Sequence, residues 1–320
     1  MSMKLRLSMA TTVAVIIGIS TLGLSVILGM MGQLNVYSLV AIVAIFNIGQ
    51  WLLAPYLVNS MYGVRRLEDG ERPQLHDMVK ELSARSGISA PKLMFSKIPI
   101  PNAFAYGSPL TGNHVAVTQG LLSELEDEEI EAVIGHELGH IKHMDMQVMM
   151  FISFLPSLFF ILARSLMFSR YYGGRDRNNS GGLALVGTAS MLIYFVLLIF
   201  NLSLSRLREY YADQHSALIV EDGARKLSEG LAKISSSTWK IQRGSRRNIT
   251  GSGFKALFIS DPDRATRDTA ELRGMRYGGQ DDELVRSILE KEITTLDRFT
   301  EFFSTHPNIV KRIKALNNLY

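Results

Sequence analysis

The stretch EAVIGHELGHIKHMD, residues 131–145, decides how the rest of the chain is read. It places two histidines four residues apart, with a glutamate directly after the first. Upstream, SELEDEE (123–129) predicts a helix start, with Ser123 as N-cap and Glu126 completing a capping box. Acidic residues crowd the first turns, where the helix dipole favours them. Ile130, Val133, Ile134 and Leu138 then recur at helical spacing. On such a helix His136 and His140 share one face, one turn apart, and can offer two imidazoles to one ion. Glu137 sits about 100° around the helix, placed to take a proton from a water that the ion activates. Gly135 and Gly139 each cost a helix up to about 1 kcal/mol, which implies a close approach by something at those positions.

A His-Glu-x-x-His match arises by chance in such a chain with odds on the order of one in a hundred, so a third ligand is the decisive check. His143 stands seven residues after His136, about 10 Å along a helix axis, too far to share the ion. The variant with a histidine six residues after the second also fails, because that position is Met146. Further on, SRLREYYADQHSA (205–217) places Glu209 and Asp213 four apart on one helical face. Two readings stand on these residues alone. Glu209 completes a two-His, one-Glu site with Asp213 orienting a ligand histidine, or both carboxylates are solvated and pair with Arg206 or Arg208.

Composition frames the choice. Of 320 residues 47% are hydrophobic, more than a soluble domain of this size needs, and the excess is concentrated. Residues 7–64 contain no Asp, Glu, Lys or Arg, with only a soft stretch at 32–35. A spanning helix takes about 20 apolar residues, so this run reads as two spans, 9–31 and 36–57, rather than a signal peptide. Two further uncharged runs, 146–163 and 178–205, suggest a second hairpin with segments at 146–164 and 182–204. The expected organisation is a membrane hairpin (1–60), a first catalytic part (61–145), the second hairpin (146–205) and a second catalytic part (206–320). Lys4 and Arg6 before the first span, with Arg65 and Arg66 after the second, place both ends of that hairpin in the cytoplasm. The loop between the later segments is also basic, with Arg164, Arg170, Arg175 and Arg177 against Asp176. Either the charge rule is broken there or that pair enters the bilayer only shallowly. If it forms a hairpin, His140 and Glu209 emerge at one depth, on the cytoplasmic surface.

With no cysteine, disulfides and thiolate ligands are excluded. A scattered net charge of +4 gives no argument for nucleic acid. The uncharged spans argue against ion-coupled transport, which places ionisable residues inside them. His76, His114 and His215 have no partners at metal-ligand spacing and read as structural or solvated. The basic run 239–247 reads as a loop able to lie on anionic headgroups, and 282–303 as a surface-packing helix. KLMFS (92–96), NAFAYG (102–107) and HVAVTQG (114–120) read as three short strands with a turn at Gly112-Asn113.

HELGH (136–140), EYYAD (209–213), PNAFAYG (101–107) and STHPNIVKRI (304–313), between two membrane hairpins, resemble the HtpX family across essentially the whole chain. These are membrane-embedded heat-shock zinc endopeptidases, more distantly related to the CAAX prenyl proteases. The resemblance implies a mainly α, α+β fold with a small sheet, a gluzincin-like multi-pass metalloprotease. It implies one zinc per chain on His136, His140 and Glu209, with Glu137 as general base and Asp213 behind a ligand. Asn102, Ala103 and Phe104 would lie on an edge strand that holds peptide by backbone hydrogen bonds. His306 and Arg312 would reach the site and steady the oxyanion, although His306 also fits a capping or core role. The implied task is quality control in the stress response, cleaving misfolded or damaged membrane proteins at the cell (inner or plasma) membrane, with the site facing the cytoplasm. A processing protease for a lipidated or short peptide is the alternative, and a non-enzymatic membrane scaffold a weaker third. Unfolded polypeptides and the lipid bilayer are the expected partners.

Overall fold

The computed structural model describes residues 36–172, 180–244, 259 and 281–319. The expected first span (9–31), the loop at 173–179 and the part of the basic run from 245 on lie outside the described residues. The chain divides into two compact units. One gathers Leu52–Met146 and Ser205–Tyr320; the other gathers Ser2–Trp51 and Gln147–Leu204.

Long apolar helices dominate the second unit. α1 (Val36–Tyr62) begins there and runs on into the first unit, as does the 40-residue α6 (Ser180–Ile219), while α5 (Asp145–Tyr172) begins at its border. Among the described residues, three stretches are long and apolar enough to cross a membrane: Val40–Tyr62, Asp145–Met167 and Leu185–Ile219. At most 22% of any of their most apolar windows is buried, leaving the apolar surface that a bilayer would cover. Within this unit Val43 packs with Ile161, Phe154 and Leu158, and Asn201 Nδ2 donates to Ser153 Oγ at 3.2 Å. α5 continues past the expected end at 164, through Arg164 to Tyr172.

The first unit is α+β. Its sheet, in the order β1-β2-β4-β3, contains β1 (Val64–Arg66), β2 (Lys92–Ser96), β3 (Ala103–Ser108) and β4 (Gly112–Thr118). β2 and β4 are parallel, and the other two pairings are antiparallel. The three expected strands form, with 119–120 turning helical and β1 joining them unforeseen, but the turn is misplaced. It lies at 109–111, and Gly112 already pairs with Ser108, its φ of 76° closing the hairpin without a Cβ penalty.

Helices α3 (Gln119–Glu124) and α4 (Asp127–Lys142) pack on the sheet, and α2 (Pro73–Ser86) and α7 (Gly223–Gly244) pack on α4. α8 (Asp281–Leu289), α9 (Thr295–Phe302) and α10 (Ile309–Asn317) complete the unit. α4 is its central element: Ile130, Val133, Ile134, Leu138 and Ile141 join Leu227, Leu231 and Ile313 in one core. The expected cap at Ser123 is displaced by a short helix. Thr118 caps α3, Ser123 bonds back to Gln119 inside it, and the capping box falls at Glu126 and Glu129. The expected helix at 282–303 breaks at 290–294, and Leu284 and Ile288 are buried core residues rather than surface packing. Residues 239–244, expected as loop, continue α7.

Candidate metal centre

α4 and α6 meet through their small residues. A Cβ added at Gly139 would lie 3.0 Å from Ala212 Cα, and one at Gly135 would lie 3.0 Å from Ser216 Oγ. Ser216 Oγ donates to Ala132 O at 2.6 Å, fixing the crossing. This approach is what the two glycines permit, and it brings EYYAD against HELGH.

His136 Nε2 and His140 Nε2 lie 3.1 Å apart, their rings edge to face. Each faces a Glu209 oxygen at 3.7 Å. One ligand atom from each of the three residues falls within 4.8 Å of the others. Tetrahedral zinc with bonds of about 2.0–2.1 Å sets its ligand atoms roughly 3.3 Å apart, so the spacings fit such an ion. Glu209 Oε2 is buried and makes no hydrogen bond, although Arg312 Nη1 stands 3.2 Å away.

The other ring nitrogens each face a carboxylate. His136 Nδ1 lies 2.9 Å from Asp213 Oδ1, and His140 Nδ1 lies 2.6 Å from Asp145 Oδ2. A carboxylate on Nδ1 keeps the proton there and turns a basic Nε2 toward the shared point. Asp145 escaped the sequence reading although it ends the quoted stretch. Its spacing of five does not fit a helix face, but the chain leaves α4 after Lys142, Met144 takes a φ of 54°, and the turn swings Asp145 under His140. Burial pulls the His140 pKa down, but its bond to Asp145 and the charges of Glu209 and Glu137 outweigh that and leave it raised.

Arg312 is buried and multiply engaged. Its Nε and Nη2 donate to Asp213 at 2.9 and 2.6 Å, and its Nη1 donates to Ile259 O at 2.8 Å. Burial works against its charge, yet Asp213 and Glu209 more than offset this, holding it more firmly protonated than an ordinary arginine. His306 Nδ1 lies 3.4 Å from Glu209 Oε1, while the cap of α10 is Asn308. The solvated reading of EYYAD fails on these contacts: Arg208 bonds Asp145, and Arg206 donates to the carbonyls of Glu301, Phe302 and Ser304.

Glu137 Oε2 accepts from Ala105 N at 2.7 Å. β3 is an edge strand, and that bond shows Ala105 facing its open side, so by alternation Ala103 and Gly107 face outward too. The side chains of Asn102, Ala103 and Phe104 are buried. Asn102 Oδ1 accepts from Ile259 N at 2.9 Å, so its amide is engaged within the chain and only backbone faces outward. Ile259, gripped by Asn102 and Arg312 through its two backbone groups, had no sequence signal. His143 and His215 meet edge to face, and His215 Nε2 meets Ser86 Oγ at 3.0 Å.

Residues 69–320 match peptidase family M48. The chain belongs to that family. It is a metalloendopeptidase and, with three apolar helices of spanning length, a membrane protein. A "Protease HtpX homolog" of Thermoplasma acidophilum is 37% identical over 88% of this chain and 84% of its own length. One from Aeropyrum pernix is 35% identical over 95% and 93%, and one from Methanothermobacter thermautotrophicus 39% over 79% and 94%. The fold matches a crystal structure of S. mikatae Ste24p, with a TM-score of 0.57 and 18% identity. That match covers 97% of this chain but 65% of Ste24p, and it bears on the fold alone.

Proposed function

We propose that this M48 peptidase is a multi-pass, zinc-dependent endopeptidase whose site faces the cytoplasm and removes misfolded or damaged membrane proteins. The observation that carries the chemistry is the convergence of His136, His140 and Glu209, with Asp213 and Asp145 backing the two imidazoles. Two imidazoles and one carboxylate suit zinc, on which M48 peptidases generally depend. Bound there, zinc supplies electrophilic activation of a water and of the scissile carbonyl.

The chain's own residues supply the rest. Glu137 is the general base, taking the proton of the attacking water and passing it to the leaving amine. Its bond to Ala105 N ties it to the strand that receives substrate. An extended peptide adds to the open edge of β3 through backbone bonds, which supports a broad sequence preference and hence unfolded substrates. His306, beside Glu209, is the candidate to steady the oxyanion. Arg312, its donors committed to Asp213 and Ile259, acts by holding Asp213 and Glu209 in place.

The test compares the full chain with Glu137→Gln at equal metal content, on an unfolded model protein. Loss of a general base costs about 10²–10⁴-fold, so cleavage by the variant should fall in that range. Equal rates from the two proteins would reject Glu137 as the base.

A further inference from the structure

α9 carries an apolar face that no part of the described chain covers. Leu296, Phe299, Phe302 and Phe303 are 55%, 56%, 43% and 49% exposed, and Phe303 meets both Phe299 and Phe302 edge to face. Isolated exposed apolar residues are ordinary; four large ones on a two-turn helix mark an interaction surface. The surface is preformed. Thr294 and Asp297 close a capping box, Thr300 and Glu301 face the core, and Glu301 binds Asn308 N and Lys311 Nζ.

Its position follows from Arg206. The uncharged run 178–205 ends directly before that residue, the first charged position after the apolar stretch of α6. Arg206 Nη1 donates to Glu301 O, Phe302 O and Ser304 O at 3.1, 3.2 and 2.8 Å. The aromatic end of α9 is therefore tied to the place where a spanning helix meets the headgroups, the level at which arginines and aromatic rings collect. Arg298, also exposed, is suited to anionic headgroups.

We infer that α9 is an interfacial membrane-docking helix, with Leu296, Phe299, Phe302 and Phe303 seated at the headgroup–acyl boundary of the bilayer that α6 crosses. This rests on the membrane reading of α6. It has a consequence for the site, because the segment that α9 anchors carries His306 to Glu209. Lipid at α9 then holds the 304–308 segment against the metal centre.

The experiment uses the full chain with Trp51 and Trp239 changed to Phe, carrying one tryptophan by Phe299→Trp, Phe302→Trp or, as reference, Leu192→Trp. Leu192 is exposed in the apolar part of α6. Each variant is checked for metal content and cleavage, then placed in vesicles of phosphatidylcholine and phosphatidylglycerol brominated at either shallow or deep positions of the acyl chains, the shallow lipid reading the α9 positions and the deep lipid reading Leu192→Trp. The inference expects blue-shifted emission from both α9 positions and quenching comparable to that of Leu192→Trp. Quenching of Leu192→Trp alone, with the α9 tryptophans open to aqueous acrylamide, overturns the inference and leaves the membrane reading standing. So does α9 emission that ignores brominated lipid but shifts on adding an unfolded model protein, which would make the patch a polypeptide surface. Failure of all three positions to quench removes the membrane reading and the inference with it.

Discussion

At the scale of single residues, Arg312 and His140 show how charge is managed in a buried site. Arg312 compensates two buried carboxylates, Asp213 and Glu209, and removing it leaves both without that partner. Breaking a buried pair costs about 3–5 kcal/mol, so Arg312→Leu should lower the stability of the metal-free chain by that order, read from urea unfolding by Trp239 fluorescence. Arg312→Lys should restore little, because an ammonium cannot fork across Asp213 and still reach Ile259. His140 has the opposite pH logic in its two states. Its pKa in the folded, metal-free chain is raised above the unfolded value near 6.5. Its contribution to stability is therefore complete below about pH 6.5 and is lost as pH rises through the raised folded value. Metal needs the neutral ring, so affinity should climb across that same window, with release of a proton. Titration calorimetry at pH 7 in buffers of different ionisation enthalpy reads the released proton directly. Asp145→Asn removes the largest cause that raises the pKa, so it should reduce proton release and weaken metal binding by about 10–100-fold.

At the scale of elements, the α4–α6 crossing sets the ligand geometry. Gly139→Ala gains up to about 1 kcal/mol of helix propensity but places a Cβ against backbone, and overpacking of this kind costs about 1–3 kcal/mol. The clash is with Ala212 Cα at 3.0 Å, which no rotamer change relieves. Gly139→Ala should therefore be destabilising and should loosen metal binding by pushing Glu209 away. Gly230→Ala, whose Cβ would meet only side-chain atoms at 3.4 Å or beyond, should stabilise by a fraction of that propensity term. Thermal unfolding of the two variants, with and without metal, separates the effects. These glycines also show what was legible beforehand. The HELGH helix, its close partner and the three strands could be read because periodicity and helix-breaking residues are local signals. The cap could not, since a second acidic capping box stood three residues beyond Ser123 and a separate short helix competed for the first. The break at 290–294 was likewise hidden, because periodicity continues on both sides of it.

At the scale of the molecule, the centre joins segments far apart in sequence, with the proposed ligands at 136, 140 and 209 and the groups that contact them at 145, 213 and 312. No local pattern announces Ile259, because its role is played by backbone groups that every residue has. Such a site should act as a clasp on the first unit. A metal bound only by the folded state stabilises it by about 2.7 kcal/mol at a free concentration one hundred times Kd. That stabilisation should be confined to the elements the ligands join. Hydrogen exchange on the full chain, metal-loaded and then chelated, should show protection lost in the C-terminal half of α4, in 205–219 and in α10. Segments 36–51, 147–172 and 180–204, the described part of the other unit, should keep theirs. The Glu209→Gln chain should resemble the chelated protein and respond little to added metal. Uniform loss of protection over both units would mean that the metal governs the whole fold rather than one clasp, and unchanged protection in α4 would mean that the centre is held by its protein contacts alone.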